Sequence, residues 1–166
     1  MTSYSTAFIG LGSNLDKPHE QIDQALTALA KLASCKSLEC APWYSSKAIG
    51  PKGQPDYINT VARLKTLLSP AELLTQLQGI ENAQGRQRLV HWGARTLDLD
   101  LLLYDNLELA SEKLTIPHPE IQNRNFVLLP LYDLSPTLIL PNGEKLETLA
   151  KQCDQHGLRP LNRDIA

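Results

Sequence analysis

Residues 95–104 read Arg95-Thr-Leu-Asp98-Leu-Asp100-Leu-Leu-Leu-Tyr104, and the strand predicted over 96–104 decides the fold. In an extended chain Thr96, Asp98 and Asp100 share one face, while Leu97, Leu99 and Leu101 share the other. Upstream, Ser69-Pro-Ala-Glu72 is a capping box with proline in the first helical turn. Leu73, Leu74, Leu77 and Ile80 continue that helix and Gly85 stops it. Residues 57–66 alternate and carry Tyr, Ile, Val and Thr, a third strand, and residues 35–44 suggest a second. Gly50, Pro51, Gly53 and Pro55 make the stretch between them a loop. Residues 18–32 predict a helix with Ile22, Ala25, Leu26, Leu29 and Leu32 on one stripe, opened by Pro18. Residues 4–11 are a first strand, broken by Gly12-Ser-Asn14. The order β-α-β-β-α-β is that of ferredoxin-like folds. The expected architecture is therefore α+β, an antiparallel sheet with helices on one main face and a C-terminal extension. That extension holds a hairpin near Asp105-Asn106, a short helix near 123–131 and a last helix at 144–153.

The chain has 166 residues, about one domain (1–166), with 42% hydrophobic and 20% charged residues, which argues against a disordered or fibrous chain. Sixteen basic and eighteen acidic side chains leave a charge of −2, against a duplex-wrapping or histone-like protein. No apolar run has signal-peptide or membrane-span length. Cys35, Cys40 and Cys153 form no CxxC, and on one regular strand Cys35 and Cys40 would face opposite sides. A cytoplasmic enzyme or binding domain fits these features.

Asp98 and Asp100 lie about 6.6–6.8 Å apart by strand rise. Two carboxylates so placed repel, and a divalent cation resolves the conflict; Mg²⁺ binds through one or two carboxylates plus phosphate oxygens. A solvated strand face, or the D-x-D of a sugar-nucleotide transferase, fits the pair alone equally well. From Asn82 to Leu97 there is no acid, yet Arg86, Arg88 and Arg95 fall there beside His91 and Trp92. Arginines grip phosphate oxygens and Trp92 offers a stacking face. A basic loop adjoining paired carboxylates points to a phosphate–Mg²⁺ site.

Gly10-Leu-Gly12-Ser-Asn14 lacks the third glycine and the acid of a dinucleotide fingerprint. Gly10 and Gly12 share a strand face, leaving either a simple turn or bare backbone beside which a flat ligand can lie. Tyr57 and Asn59 share a face of the third strand; the Asn amide matches the N–H/C=O edge of a heterocycle, or the two form a half-buried edge pair. Gln78 and Glu81, i and i+3, fall on the polar face of the second helix, where solvation is the default. Pro117-His118-Pro119 is a rigid turn followed by Arg124 and Phe126; His19 and His156 are structural. No nucleophile elbow and no P-loop occur.

Taken together, these motifs resemble the 6-hydroxymethyl-7,8-dihydropterin pyrophosphokinase family over nearly the whole chain. The resemblance is carried by Gly12-Ser-Asn14, Gly50-Pro51, Gln54-Pro55-Asp56-Tyr57, Asn59, Gly85-Arg86-Gln-Arg88, Trp92-Gly-Ala-Arg95-Thr-Leu-Asp98-Leu-Asp100, Pro117-His118, Asn123-Arg124 and Phe126. It implies a ferredoxin-like fold and a single pyrophosphokinase domain. The implied reaction takes ATP and 6-hydroxymethyl-7,8-dihydropterin to AMP and the pterin diphosphate ester, in folate biosynthesis. The resemblance further implies two Mg²⁺ ions on Asp98 and Asp100. Ser46, Ile49, Tyr57, Asn59, Trp92 and Phe126 are implied for the pterin. Gln78, Glu81, Arg88, Trp92, Lys113, Thr115, His118 and Arg124 are implied for ATP, with Arg86 and Arg95 as catalytic-loop arginines. A monomer with small-molecule substrates, no nucleic acid and no membrane is implied. Lys47-Ala48, His91, Ala94 and Lys113 depart from commoner family residues; Lys113 keeps the charge and loses the planar fork. Two rivals predict other products: a D-x-D nucleotidyl- or glycosyltransferase would release diphosphate or a base moiety, and a ferredoxin-like ligand-binding module would turn nothing over.

Overall fold

Strand β1 (Ser5–Ser13) lies between two antiparallel neighbours, β4 (Tyr57–Thr66) and β5 (Asp98–Tyr104). A computed structural model of the chain describes residues 3–14, 17–46, 56–84, 97–155 and 157–161. Helix α1 (Pro18–Ala30) follows β1, then β2 (Cys35–Cys40) and β3 (Tyr44–Ser46) precede β4. Helix α2 (Pro70–Ala83) leads toward β5; β6 (Leu109–Ala110) and β7 (Thr115–Ile116) form a small second sheet. A 3₁₀ turn (Ile121–Asn123), α3 (Asn125–Leu134), α4 (Leu146–Gln152) and β8 (Leu158–Pro160) complete the order. The main sheet runs β5-β1-β4-β3-β8, with β2 also on β4. The β-α-β-β-α-β core read from periodicity is present, as is the antiparallel sheet.

Alternation along the strands builds two cores. Ala7, Ile9 and Leu11 pack with Leu97, Leu99 and Leu101 under α1 and α2, against Ile22, Ala25, Leu29, Leu73, Leu77 and Ile80. Phe8, Val61, Leu102 and Leu103 face the other way, under α3 and α4. Leu101, Leu102 and Leu103 are all buried because the β1–β5 register shifts there: Ile9 pairs with Leu101 and Phe8 with Leu103. The extra residue, Leu102, swings toward Gly10, where an added Cβ would lie 3.5 Å from its methyls. The C-terminal extension thus covers the face that α1 and α2 leave open. No helix among the described residues is long and apolar enough to cross a membrane.

Four local expectations are corrected. The strand expected over 35–44 is two strands, because Pro42 has no N–H for the ladder and the chain leaves it at Ala41. A bulge at Ser37 (φ 57°) adds one residue to β2 between Lys36 and Glu39. Cys35 and Cys40 therefore stand opposite Thr66 and Ala62, which share a side of β4, so the thiols lie on one face rather than two. They are separated by four residues of β4, roughly 13 Å by strand rise, beyond disulfide reach. Asp105-Asn106 turns but joins no paired strands: Asp105 caps β1, accepting the Thr6 N–H at 2.7 Å, and the hairpin turn lies at 111–114. Strand β8 has no counterpart among the expected elements.

The capping box at Ser69 is formed in both directions. The Glu72 N–H donates to Ser69 Oγ at 3.1 Å and the Ser69 N–H to Glu72 Oε1 at 2.9 Å. These bonds hold the Glu72 carboxyl below its ordinary pKa. Ser69→Ala leaves an orphan amide and lowers Tm by about 2–4 °C, read by calorimetry; an unchanged Tm means the box contributes nothing.

Candidate functional site

The register across the sheet assembles the site. Gly12 pairs with Asn59 on one side and Asp98 on the other; Gly10 pairs with Val61 and Asp100. All face α3. With no side chain at positions 10 and 12, the Asn59 amide and the two carboxylates stand on either side of bare backbone. The resulting cavity, about 460 Å³, is lined by Gly10, Gly12, Ser46, Tyr57, Asn59, Asp98, Asp100, Arg124 and Phe126, with Glu120 and Asn123 at its edge. Gly12 leaves little room for a side chain: a Cβ there would lie 3.0 Å from Asn59 Nδ2, so the amide would have to shift by a few tenths of an ångström.

Buried Ser46 donates to Asn59 Oδ1 at 2.7 Å. The amide oxygen is thereby turned toward β3 and Nδ2 toward Gly12 and the aspartates. Behind this pair the Tyr44 hydroxyl donates to Asp133, tying β3 to α3. Burial, with that carboxylate second, pushes the Tyr44 phenol well above its ordinary pKa. On the facing side the Arg124 guanidinium lies 5.7 Å from the Phe126 ring centre and 3.7 Å from Asp100 Oδ2.

His118 is half-buried beside this group. Its Nδ1 accepts the Glu120 N–H at 3.1 Å, so in the neutral ring the proton is on Nε2. Desolvation pushes its pKa below the ordinary 6.5; Asp100 and Glu120 oppose the shift and Arg124 adds to it. Its backbone N–H donates to Leu102 O at 2.9 Å, and the preceding Ile116–Pro117 bond is cis.

A second cavity, about 840 Å³, lies between α2 and the β6–β7 hairpin, lined by Ala71, Leu74, Thr75, Gln78, Leu109, Ser111, Glu112, Lys113 and Leu114. Gln78 and Lys113, remote in sequence, meet there. Thr115 is exposed on β7 between Lys113 and His118 and lines neither cavity. The expectation of a solvated Glu81 is corrected: it is 5% exposed, and Glu81 Oε2 accepts the Leu99 N–H at 2.8 Å. Ile49, Arg86, Arg88, Trp92 and Arg95 lie outside the described residues, as do His91 and Ala94. Glu120, between His118 and Arg124 in sequence, lines the cavity without any motif to signal it, and Asn123, quoted above only as part of the Asn123-Arg124 motif, lines it too; Asn123 Nδ2 donates to Glu120 Oε2 at 3.2 Å.

The donor set suits Mg²⁺. Among the described residues no group of three or more His, Cys, Asp or Glu side chains could cage a metal. Two carboxylates in an open cavity are what Mg²⁺ takes when a substrate's phosphates supply further oxygens.

Comparison with known proteins bears on this geometry. The family model described as 7,8-dihydro-6-hydroxymethylpterin-pyrophosphokinase matches residues 8–136. A 2-amino-4-hydroxy-6-hydroxymethyldihydropteridine pyrophosphokinase of Haemophilus influenzae is 49% identical over 157 residues, 95% of this chain and 98% of its own. Its counterpart from Pseudomonas aeruginosa is 46% identical over 154 residues, 93% of this chain and 95% of its own. Among solved structures, the Plasmodium falciparum HPPK-DHPS wild type with pterin and p-hydroxybenzoate superposes with a TM-score of 0.69 at 14% identity. The match covers 92% of this chain and 43% of that longer one, and shows a shared fold.

Two outcomes follow from the geometry. In the metal-free protein the His118 ring titrates below 6.5 by NMR; Asp100→Asn lowers the midpoint further and Arg124→Gln raises it. Because the folded pKa is depressed, the stability it contributes is present above 6.5 and is lost as pH falls through the depressed value. Separately, Gly12→Ala displaces the Asn59 amide and weakens binding of a flat heterocycle by about tenfold or more, measured by fluorescence titration. Unchanged affinity would mean that the amide does not meet the ligand.

Proposed function

Because this chain belongs to the 7,8-dihydro-6-hydroxymethylpterin-pyrophosphokinase family, we propose that its two cavities are the two ends of one bisubstrate site. The protein transfers the diphosphate of ATP to hydroxymethyldihydropterin, a step of folate biosynthesis. The single observation that carries the site assignment is the row Asp98–Gly12–Asn59 across the sheet: metal-type ligands and a heterocycle-type amide flank one stretch of bare backbone.

In this reading the pterin lies over Gly12 and Gly10, between Tyr57 and Phe126, with its polar edge on Asn59 and Ser46. Ile49 and Trp92 join it by family resemblance. Gln78 and Lys113 receive the nucleoside end of ATP. The triphosphate then runs past Thr115 and His118 toward Arg124 and the aspartates, and the family resemblance adds Arg88 to the nucleotide contacts. The hydroxymethyl oxygen attacks the β-phosphorus and AMP leaves in line, so the protein's work is positioning and charge neutralisation. Asp98 and Asp100 would hold two Mg²⁺ ions, which when bound neutralise triphosphate charge and acidify the attacking hydroxyl. His118, neutral at pH 7, offers Nε2–H to a phosphate oxygen without adding charge. Arg124 exchanges Asp100 for the arriving phosphates, and Arg86 and Arg95 stabilise the group in flight. The reading extends to a monomeric cytoplasmic enzyme; sedimentation as a dimer overturns the first part.

Asp98→Ala and Asp100→Ala abolish AMP formation that depends on both pterin and Mg²⁺; turnover near wild type in either variant would refute the metal role. Arg95→Ala lowers kcat by about 10³-fold or more while changing ATP affinity far less. A loss confined to ATP affinity makes that arginine a clamp.

A further inference from the structure

Glu81 is the one buried carboxylate among the described residues, at 5% exposure, on the turn of α2 beyond Gln78. Burying a carboxylate is costly unless hydrogen bonds compensate it. Its Oε2 accepts the Leu99 N–H at 2.8 Å, deep in the protein. Among the described residues strand β5 is an edge strand: β1 pairs with one side of it and no described strand pairs with the other. Leu99 is the residue between Asp98 and Asp100, and its side chain belongs to the core under α1 and α2. The amide that Glu81 captures is therefore on the backbone joining the two aspartates.

We infer that Glu81 is a positioning residue for the metal ligands: its carboxylate pins the outer edge of β5 at Leu99 and so holds Asp98 and Asp100 turned into the first cavity. The pin matters because the register of β5 on β1 is broken nearby, where Leu102 is inserted between the Ile9–Leu101 and Phe8–Leu103 pairs. A strand with a bulge three residues on has a competing register, and a one-residue slip would carry both aspartates to the apolar face. The neighbouring fastening on β5 is the His118 N–H on Leu102 O, at the bulge itself. This inference rests on the assignment of Asp98 and Asp100 to the metal. It moves Glu81 from the nucleotide contacts that the family resemblance implied to a fastening between helix and strand.

The test separates shape from charge. Glu81→Gln keeps an acceptor oxygen for Leu99, whereas Glu81→Ala removes it. In the metal-free protein, hydrogen exchange followed by NMR reads Leu99 directly; Mn²⁺ binding with a non-hydrolysable ATP analogue reads the ligands. The expected result is that Glu81→Gln keeps both the protected amide and the Mn²⁺ affinity. Glu81→Ala loses Leu99 protection and weakens Mn²⁺ by about 10- to 100-fold, the range for residues that orient metal ligands. Leu99 protection unchanged in Glu81→Ala overturns the inference. So does Mn²⁺ affinity lost in Glu81→Gln while Leu99 stays protected, since Glu81 would then act by its charge; this arm decides alone where Glu81→Ala does not fold. Asp98→Asn is the control for the underlying assignment. If it leaves Mn²⁺ binding intact, the metal reading fails and the reason for the pin falls with it, whatever happens at Leu99.

Discussion

Everything in the site depends on two missing side chains. Gly10 and Gly12 sit on β1 between β4 and β5, and their register partners are Val61 and Asn59 on one side and Asp100 and Asp98 on the other. A Cβ at Gly12 would meet the Asn59 amide at 3.0 Å, and one at Gly10 would come into ordinary contact with Leu102 at 3.5 Å. Glycine weakens a strand, and the sheet offsets that by placing β1 between two long antiparallel partners. The central strand thus contributes backbone and space, and its neighbours contribute the chemistry.

That division explains why the two faces of the sheet differ. The face under α1 and α2 is closed by aliphatic side chains from every strand it touches. The opposite face is apolar only where α3 and α4 cover it, at Phe8, Val61, Leu102 and Leu103. Beyond the N-terminal end of α3 the same rows continue as Gly10, Gly12, Asn59, Asp98 and Asp100, and the core becomes a cavity. Phe126 and Val127 belong to both worlds: they line the cavity and belong to the helix that packs the core behind it.

The sequence made the core elements legible because they obey one period each. Helices α1 and α2 and strands β1, β4 and β5 appear within two or three residues of their expected bounds. What escaped were features set by partners distant in sequence. The bulges at Ser37 and Leu102 change which face a residue takes without altering local composition. Strand β8 exists because it pairs with β3, from Tyr44 with Pro160 to Ser46 with Leu158, and nothing within three residues announces that. The site followed the same rule. Alternation put Asp98 with Asp100 and Tyr57 with Asn59, but only the sheet register brings the two pairs together. Glu81 was misjudged because a glutamate at a helical i+3 position from Gln78 looks solvated until the edge strand beside it is known.

The pairing of Asp100 with Arg124 shows how the site can be organised without being locked. The two side chains approach to 3.7 Å while remaining 42% and 35% exposed. An ion pair so exposed is worth little, on the order of 0–1 kcal/mol, so exchanging it costs little. A triphosphate offers Arg124 more charge than one carboxylate, and a divalent cation offers Asp100 more than one guanidinium. On the proposed assignment both partners stand near their working places in the free protein, and each would gain when the substrate separates them. By contrast the Ser46–Asn59 and Glu81–Leu99 hydrogen bonds are buried. The contacts that fix shape are dry, and the contacts that meet charge are wet. That division lets a small α+β sheet keep two carboxylates side by side at the rim of the proposed substrate site.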